Sequence, residues 1–342
     1  MGPKFFNLLS FETLNKLDVI TGFVLGWTGF LIGLQGKRSN LIRFQKSYYL
    51  FSTLNFVLMF SLFFISLYLC NLFINNEFTI LQIILVSLIG TVSSPIWIAV
   101  LRRDFKFRGA LAHLVQFSIA FDNMLGVFFL GIIVIVLKSS SEMAIPGYYF
   151  IFLALAIIGL LSWLFYFLSE NIKDTQQYLL ILIGTILLVV GVAMNLHISI
   201  LFFSFIFGLI ITNLPIATRK LYQNIANAEK PLYFIMLVFI GAYVDSFTMK
   251  MGIIILIFII LRVCIKYISG YIARSPILAN ERPLPAIGLA HLGMGGVSLA
   301  LALDFYHMDS NSASYLILVI SIGSVLLTDL LSLRIVKGLL QE

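Results

Sequence analysis

Long apolar runs, separated by short charged loops, constrain this chain more than any other sequence feature. Each run is near the ~20 residues that an α-helix needs to cross a bilayer, and continuous runs argue against the alternating strands of a β-barrel. Because 61% of the chain is hydrophobic and 11% is charged, an ordinary soluble domain is excluded. We predict an all-α polytopic membrane protein in one transmembrane domain, 1–342, with eleven spans at 17–35, 47–74, 78–101, 109–138, 147–169, 177–194, 197–214, 231–249, 251–273, 284–304 and 313–337.

The charges of the loops predict the orientation of the chain. Most Lys and Arg residues follow the odd-numbered spans, whereas the opposite side carries few lysines and an acidic tip at Asp304 and Asp309. By the positive-inside rule, the N-terminus lies outside and the C-terminus is cytoplasmic, which agrees with an odd number of spans. The net charge of +7 therefore reflects membrane topology, and we do not expect a nucleic-acid partner.

Helix-breaking residues interrupt two of the predicted spans. The third span contains Gly90 and then Ser93, Ser94 and Pro95, and the tenth contains a glycine-rich HLGMGG sequence. A proline kink or close helix packing would explain either feature alone. Because the two spans have opposite predicted orientations, we favour inverted three-helix repeats, roughly 47–138 and 251–337, with scaffold helices at 147–249. The glycines of the second broken helix are Gly293, Gly295 and Gly296.

Asp122 lies near the middle of a long apolar run. A carboxylate at bilayer depth is costly unless it faces a partner, a cavity or a bound cation, so it marks a functional site by default. A structural acid that is hydrogen-bonded to neighbouring side chains is the alternative. The sequence predicts that Asp122 binds a monovalent cation or a proton, with Ser93 and Ser94 near the same site. Asn123 offers a carbonyl ligand but points about 100° away around the helix.

Two basic residues, Arg262 and Lys266, lie four residues apart in another apolar run and share one helix face. We expect them to balance the charge of the site and one of them to pair with an acid when the cation is absent. Lys266 is near enough to the cytoplasmic end to extend towards the interface instead. Which of the two would pair with Asp122 is open, because the rotation of the helices is unknown.

Other polar residues give weaker signals. Asp329 is a possible secondary acid near mid-span, and Asp245 is expected near the outer end of its span. His113 and His291 are isolated, and a lone histidine is more often a hydrogen-bonded core residue than a ligand, although either could sense pH. No nucleotide-binding or protease motif has a usable context, so we predict neither an enzyme nor a cofactor.

Six segments occur in an order and spacing that are typical of one membrane protein family. They are GWTGFLIGLQ (26–35), TVSSPIWIAVLRRDFKFRGA (91–110), LVQFSIAFDNMLGVFFLG (114–131), ILRVCIKYISG (260–270), IGLAHLGMGGVSLALAL (287–303) and VLLTDLLSLRIVKGLL (325–340). They resemble the motifs of the monovalent cation/proton antiporter superfamily, specifically its Kef-type sodium/hydrogen exchanger branch. The resemblance covers nearly the whole chain.

The resemblance implies two crossed, discontinuous helices and elevator-like alternating access. By position, Asp122 corresponds to the first acid of the family's acidic pair and Lys266 to its buried base. The second acid of the pair is Asn123 here, which suggests electroneutral exchange or loss of the usual coupling. Two other family glutamates correspond to Gln35 and Asp329. Relative to the family pattern the chain begins one or two helices late, so we expect an N-terminally shortened form.

These observations lead to a main hypothesis and two alternatives. The main hypothesis is a secondary antiporter that exchanges Na⁺ or K⁺ for H⁺ in a bacterial cytoplasmic membrane, with the lipid bilayer, cations and protons as partners and a homodimer as the expected assembly. One alternative is a transport-inactive sensor or assembly subunit of the same fold. The other is a sodium-coupled symporter of an organic anion, in which Arg262 would serve the anion.

Overall fold

The computed structural model describes residues 17–73, 78–95, 110–142, 147–170, 172, 174–214, 229–244, 248–274, 287–309 and 311–340. Within these ranges the regular structure is entirely helical. The helices are α1 (Asp18–Leu34), α2 (Arg38–Leu41), α3 (Lys46–Phe73), α4 (Ile80–Thr91), α5 (Ala110–Glu142), α6 (Gly147–Ser169), α7 (Thr175–Asn195), α8 (Ile200–Asn213), α9 (Glu229–Tyr243), α10 (Met249–Arg274), a 3₁₀ helix (Ile287–His291), α11 (Gly296–Met308) and α12 (Ser312–Leu340).

The helices have the lengths and apolar composition of a polytopic membrane protein. Six described segments are long and apolar enough to cross a membrane, and four shorter apolar helices accompany them. Each of the eleven predicted spans overlaps a described helix, and α2 is a single turn in a loop. The predicted fold class is therefore confirmed.

The chain divides into two compact units. The first unit comprises Met1–Ile42 and Val127–Tyr243, and the second comprises Arg43–Gly126 and Val244–Glu342. In the first unit, α1 and α8 approach closely through small residues. A Cβ atom added to Gly33 would lie 2.2 Å from the Phe205 carbonyl oxygen, and one added to Gly208 would lie 2.4 Å from that of Phe30. This backbone-to-backbone packing is a common way for helices to associate in lipid, where apolar side chains gain little by leaving the bilayer.

The second unit contains both helices that the sequence predicts to be broken. Its core includes a buried cluster that joins side chains of α3, α5, α10 and the 3₁₀ helix, namely Phe51, Leu114, Val115, Ile119, Ala273 and Ile287. The start of α4 is fixed by a capping box, because the Thr79 side chain accepts from the Gln82 backbone and the Gln82 side chain accepts from the Thr79 backbone. The cluster packs the 3₁₀ helix against α3, α5 and α10, and the capping box fixes only the start of α4.

Both breaks occur where the sequence predicts them. Helix α4 ends at Thr91, residues 92–94 are not helical, and Pro95 is helical again. In the second broken span, the 3₁₀ helix ends at His291 and α11 begins at Gly296.

One expectation for the second broken span is wrong. We expected Asp304 in an acidic loop tip, but α11 continues to Met308 and Asp304 is buried within it, with 1% of its surface exposed. The apolar residues on either side of Asp304 continue the buried face of the helix, so a single acid does not end it.

Candidate ion-binding site

The two unwound segments meet directly. The Ser94 backbone N–H donates a hydrogen bond of 3.0 Å to the Gly293 carbonyl, 199 residues along the chain. Gly295 lies against Ser94 so closely that an added Cβ atom would be 2.5 Å from Ser94 Oγ. The segments are therefore crossed, and the absence of a side chain at Gly295 permits their approach.

The carbonyl groups at the C-terminal end of α4 are bonded by two buried cations. A helix leaves its last four carbonyls without an intrahelical partner. The Arg262 guanidinium donates to the carbonyls of Ile89 at 3.3 Å and of Gly90, and also to Val92 O at 2.8 Å. The Lys266 ammonium donates to Thr91 O at 3.2 Å and to Val92 O at 3.5 Å. Both side chains are fully buried.

The same two cations also bind the second break. Arg262 Nε donates to Leu292 O at 3.4 Å, and Lys266 Nζ donates to His291 O at 2.5 Å and to Ser93 Oγ at 2.7 Å. Two helical segments thus direct the negative ends of their dipoles at the same pair of cations. The structure brings the predicted bases to the crossing, where their direct described partners are backbone carbonyls and the Ser93 hydroxyl.

Asp122, on α5, is fully buried next to this crossing. Within the described part of the chain, no donor is hydrogen-bonded to either of its carboxylate oxygens. His291 Nδ1 lies 3.2 Å from Asp122 Oδ2, but not in hydrogen-bond geometry. Among the described residues, His291 is the only basic side chain within ion-pair distance of Asp122. The expected direct pairing of Asp122 with Arg262 or Lys266 is not found, although the charge of Lys266 acts on Asp122 from farther away.

The neighbouring Asn123 faces a different group. Its Oδ1 accepts from the Ser93 N–H at 3.2 Å, and its Nδ2 donates to the Ser93 carbonyl at 2.9 Å. An amide side chain can donate and accept at once, whereas a carboxylate would repel the Ser93 carbonyl. Asn123 therefore fixes the unwound segment of α4 to α5, and its carbonyl oxygen is occupied by this contact.

A comparison with known protein families shows the family of the chain. The family model described as "Sodium/hydrogen exchanger, transmembrane" matches residues 1–336. The chain belongs to this family. Its members are membrane transporters, which agrees with the prediction that the protein is not an enzyme.

Structural comparison extends the assignment to the fold. The structure of the sodium proton antiporter MjNhaP1 from Methanocaldococcus jannaschii at pH 8 is similar to this sodium/hydrogen exchanger family member, with a TM-score of 0.70 and 15% sequence identity. The match covers 99% of this chain and 89% of that chain. At this identity the likeness shows the fold alone. No curated protein matches the sequence of the chain significantly.

The remaining predicted site residues of this exchanger family member are at the second break and on α12, except for one that lies outside the described residues. Gly296 is the first residue of α11, and Gly293 and Gly295 belong to the break before it. Asp329, on α12, interacts electrostatically with Arg262. Asp245 lies outside the described residues.

Two residues near Asp122 were missed as site residues by the sequence analysis. Ser118 precedes Asp122 by one helical turn and is fully buried, and no described residue is hydrogen-bonded to its hydroxyl oxygen. Ser118 is four residues before Asp122, and this spacing could have indicated that the two side chains share one helix face. His291 was considered only as an isolated core histidine, because its approach to Asp122 depends on a contact between residues 169 positions apart.

Proposed function

We propose that the protein is a secondary antiporter in which Asp122 binds either a monovalent cation or a proton. The observation that carries this proposal is the fully buried carboxylate, whose two oxygens accept from no donor in the part of the chain that the structure describes. An ionised carboxylate in this position is unfavourable unless a positive charge compensates it, and a proton or a bound cation would do so.

The polar groups around Asp122 favour a small cation over an organic substrate. The Ser118 hydroxyl lies on the same face of α5 and is hydrogen-bonded to no described residue. Most backbone carbonyls at the crossing already accept from Arg262 or Lys266, so we assign these bases to the half-helix ends and to overall charge balance. A cation at Asp122 would therefore take its protein ligands chiefly from the carboxylate and the Ser118 hydroxyl.

Competition between the cation and the proton for the Asp122 carboxylate would couple their movements in opposite directions. If the proton and the cation occupy the same carboxylate, each leaves when the other binds, and the loaded unit can return across the membrane with either one. Because Asn123 holds Ser93 instead of adding a second acid, we propose the exchange of one cation for one proton, without net charge movement. The transported cation is Na⁺ or K⁺.

The setting of this activity follows from the sequence. We propose a bacterial cytoplasmic membrane, an outside N-terminus and a cytoplasmic C-terminus, because the Lys and Arg residues concentrate in alternate loops. The inverted repeats at 47–138 and 251–337, the scaffold helices at 147–249, the Kef-type relationship and a homodimer belong to the same proposal.

Proteoliposomes provide the test. The purified chain is reconstituted with an imposed pH difference, Na⁺ or K⁺ is added, and dissipation of the pH difference is followed with a pH-sensitive dye. We expect cation-dependent proton movement that is lost in Asp122→Asn. Asp174→Asn is the matched control, because Asp174 is an exposed N-cap whose side chain accepts from Gln176 N at 3.1 Å, and asparagine caps a helix equally well.

Each outcome decides between the functional hypotheses. If Asp122→Asn exchanges cations for protons as fast as the wild type, the role of the acid is refuted. No response from well-folded wild-type protein would favour the transport-inactive sensor or subunit. Sodium uptake that requires an added organic anion would identify a symporter instead.

A further inference from the structure

We propose that the buried amide of Asn55 and the hydroxyl of Ser52, both on α3, form a second binding site for the transported cation, on its route to Asp122. This inference rests on the proposed antiport activity and adds to it a neutral transit site. Its basis is that both side chains are fully buried, while neither amide atom of Asn55 nor the Ser52 hydroxyl has a hydrogen-bond partner among the described residues.

The two polar side chains lie on the inner face of α3. The apolar side chains of Leu50, Val57 and Ile65 are each more than half exposed, whereas Ser52 and Asn55 have no exposed surface. Ser52 and Asn55 are three residues apart and therefore share one face of the helix. Burying an amide without a hydrogen bond is costly, because both its oxygen and its nitrogen give up water.

Another buried amide on the same helix shows what a structural role requires. Asn71 Nδ2 donates to the Phe78 carbonyl at 3.0 Å, and Asn71 Oδ1 accepts from the Phe78 N–H at 3.0 Å. Buried polar groups in proteins are nearly always bonded in this way. Asn55 has no such partner in the described part of the chain, which points to a ligand from outside the protein.

The neighbours of Asn55 along α3 place it against the middle of α10. Asn55 lies between two fully buried phenylalanines, Phe51 and Phe63. Phe51 belongs to the buried cluster that includes Ala273 of α10, and the Phe63 ring lies 6.0 Å from that of Phe258 on the same helix. The two helices therefore run in opposite directions, and Asn55 faces the stretch of α10 between these contacts.

The rise of the helices gives the depth of Asn55 more closely. At about 1.5 Å per residue, Asn55 lies about 6 Å beyond Phe51 along α3, and Ser269 lies about 6 Å before Ala273 along α10. Asn55 is thus level with Ser269, which is within one turn of Lys266. This is the depth of the crossing.

The contacts with α5 lead to the same depth. Tyr49, near the start of α3, has its ring 4.8 Å from that of Phe117, near the start of α5, and 6.0 Å from that of Phe121, one turn later. The two helices therefore run in the same direction. Because Asn55 is six residues after Tyr49 and Asp122 is five residues after Phe117, Asn55 and Asp122 lie at similar depths.

The amide is nevertheless separate from the carboxylate. If Asn55 Nδ2 were within hydrogen-bond reach of Asp122, it would donate to the carboxylate, and neither group has such a bond. In the proposed orientation α3 begins at the cytoplasmic surface, so Ser52 is on the cytoplasmic side of Asn55. The order Ser52, Asn55, Asp122 thus leads from the cytoplasm to the carboxylate.

Two neutral oxygens suit a monovalent cation in transit. The Asn55 carbonyl oxygen and the Ser52 hydroxyl oxygen can each replace one water molecule of the hydrated ion. Because neither group is charged, they hold the cation less tightly than the Asp122 carboxylate does, and a route requires sites that an ion both enters and leaves readily. The negative charge of Asp122 farther along disfavours an anion at this site.

The first test measures exchange kinetics in proteoliposomes. Asn55→Leu keeps the approximate size of the side chain and removes its oxygen. We expect the KM for the cation to rise by about tenfold or more, because an interaction with a charged group is worth at least about this factor. The maximal rate should change much less. The apparent Tm in detergent should not fall, because an apolar group replaces an unpartnered amide.

Asn71→Leu is the matched control for this variant. It makes the same replacement on the same helix but removes an amide that is hydrogen-bonded on both sides. We therefore expect Asn71→Leu to lower the apparent Tm and to leave the KM for the cation unchanged.

The second test requires neither transport activity nor the Asn55→Leu variant. Crystals of the wild-type chain are soaked with Tl⁺, a monovalent cation whose position is found from its anomalous scattering. We expect an anomalous peak beside Asn55 Oδ1, and this peak should remain in Asp122→Asn.

The outcomes separate this inference from the proposed function. If the wild type exchanges cations, the kinetics decide: an Asn55→Leu protein with the KM of the wild type, or with a loss of Tm as large as that of Asn71→Leu, overturns the transit site, and antiport stands. If the wild type exchanges no cation, the proposed function is wrong. The Tl⁺ experiment then decides the inference alone, and the lack of a peak beside Asn55 overturns it.

Discussion

Replacing Gly295 by alanine tests whether the two unwound segments are as close as the structure places them. The added Cβ atom would lie 2.5 Å from Ser94 Oγ, 2.7 Å from Ser94 Cβ and 3.4 Å from Ser94 Cα. Rotation of the hydroxyl relieves only the first contact. The backbone at Gly295 is extended, with φ −178°, so alanine has no conformational penalty there, and the entire cost arises from this clash.

The clash has to be relieved by separating the segments. Movement of Ser94 away from Gly295 would stretch the 3.0 Å hydrogen bond from Ser94 N to Gly293 O. Overpacking of a buried contact costs about 1–3 kcal/mol of unfolding free energy. In Gly295→Ala with Ser94→Gly, the nearest backbone atom of residue 94 is Cα, at an ordinary contact distance of 3.4 Å. The double variant should therefore recover most of the lost unfolding free energy. The coupling free energy of the double-mutant cycle between positions 94 and 295 should also be about 1–3 kcal/mol.

The assay is thermal unfolding of the purified protein in detergent. The fraction of monodisperse protein that remains at each temperature is the measured signal. Taking about 2 °C per kcal/mol for a chain of this size, Gly295→Ala should lower the apparent Tm by about 2–6 °C. Gly191→Ala is the control, because no described atom outside its own stretch of helix lies within 4 Å of its added Cβ atom, and alanine is favoured in a helix interior. Equal stability of the two variants, or failure of Ser94→Gly to rescue Gly295→Ala, would refute the crossing geometry.

Three further predictions concern the site itself. Asn123→Ala removes both hydrogen bonds to Ser93, so we expect thermal shift measurements to show a loss of about 1–3 kcal/mol with little change in the apparent cation affinity of the remaining exchange. Arg262→Met should lower the Tm more than Lys266→Met, because it leaves three carbonyls without their only described donor. Of the four acceptors of Lys266, in contrast, the Val92 and His291 carbonyls each keep another donor. For one-to-one competition at Asp122, a tenfold rise in cation concentration should shift the acid limb of exchange to lower pH by about one unit, and a shift near half a unit would contradict that stoichiometry.

The helices and their breaks could be predicted from sequence because their causes are local. Runs of about 20 apolar residues define spans whatever the rest of the chain does. Gly90 with Ser93 to Pro95, and the glycines at 293–296, weaken helices by their own conformational preferences. The position of the breaks in the structure agrees with these signals to within a few residues.

The contacts inside the site could not be predicted in the same way. The pairing of Asn123 with Ser93 joins residues 30 apart, and that of His291 with Asp122 joins residues 169 apart. Each depends on the rotation of one helix relative to another, which composition and periodicity do not specify. The partners of Lys266 could not be predicted for the same reason, because they are in two distant segments.

The two buried bases show how this limit affects functional inference. A base in a membrane span is by default a sign of function. Here the crossing of two half-helices leaves carbonyls that need donors whether or not the chain transports ions, and Arg262 and Lys266 provide them. Their presence therefore does not distinguish a transporter from an inactive relative. In the proposed mechanism this distinction depends on Asp122, because among the described residues it is the only buried carboxylate with two unpartnered oxygens, and the fold alone gives no reason for it.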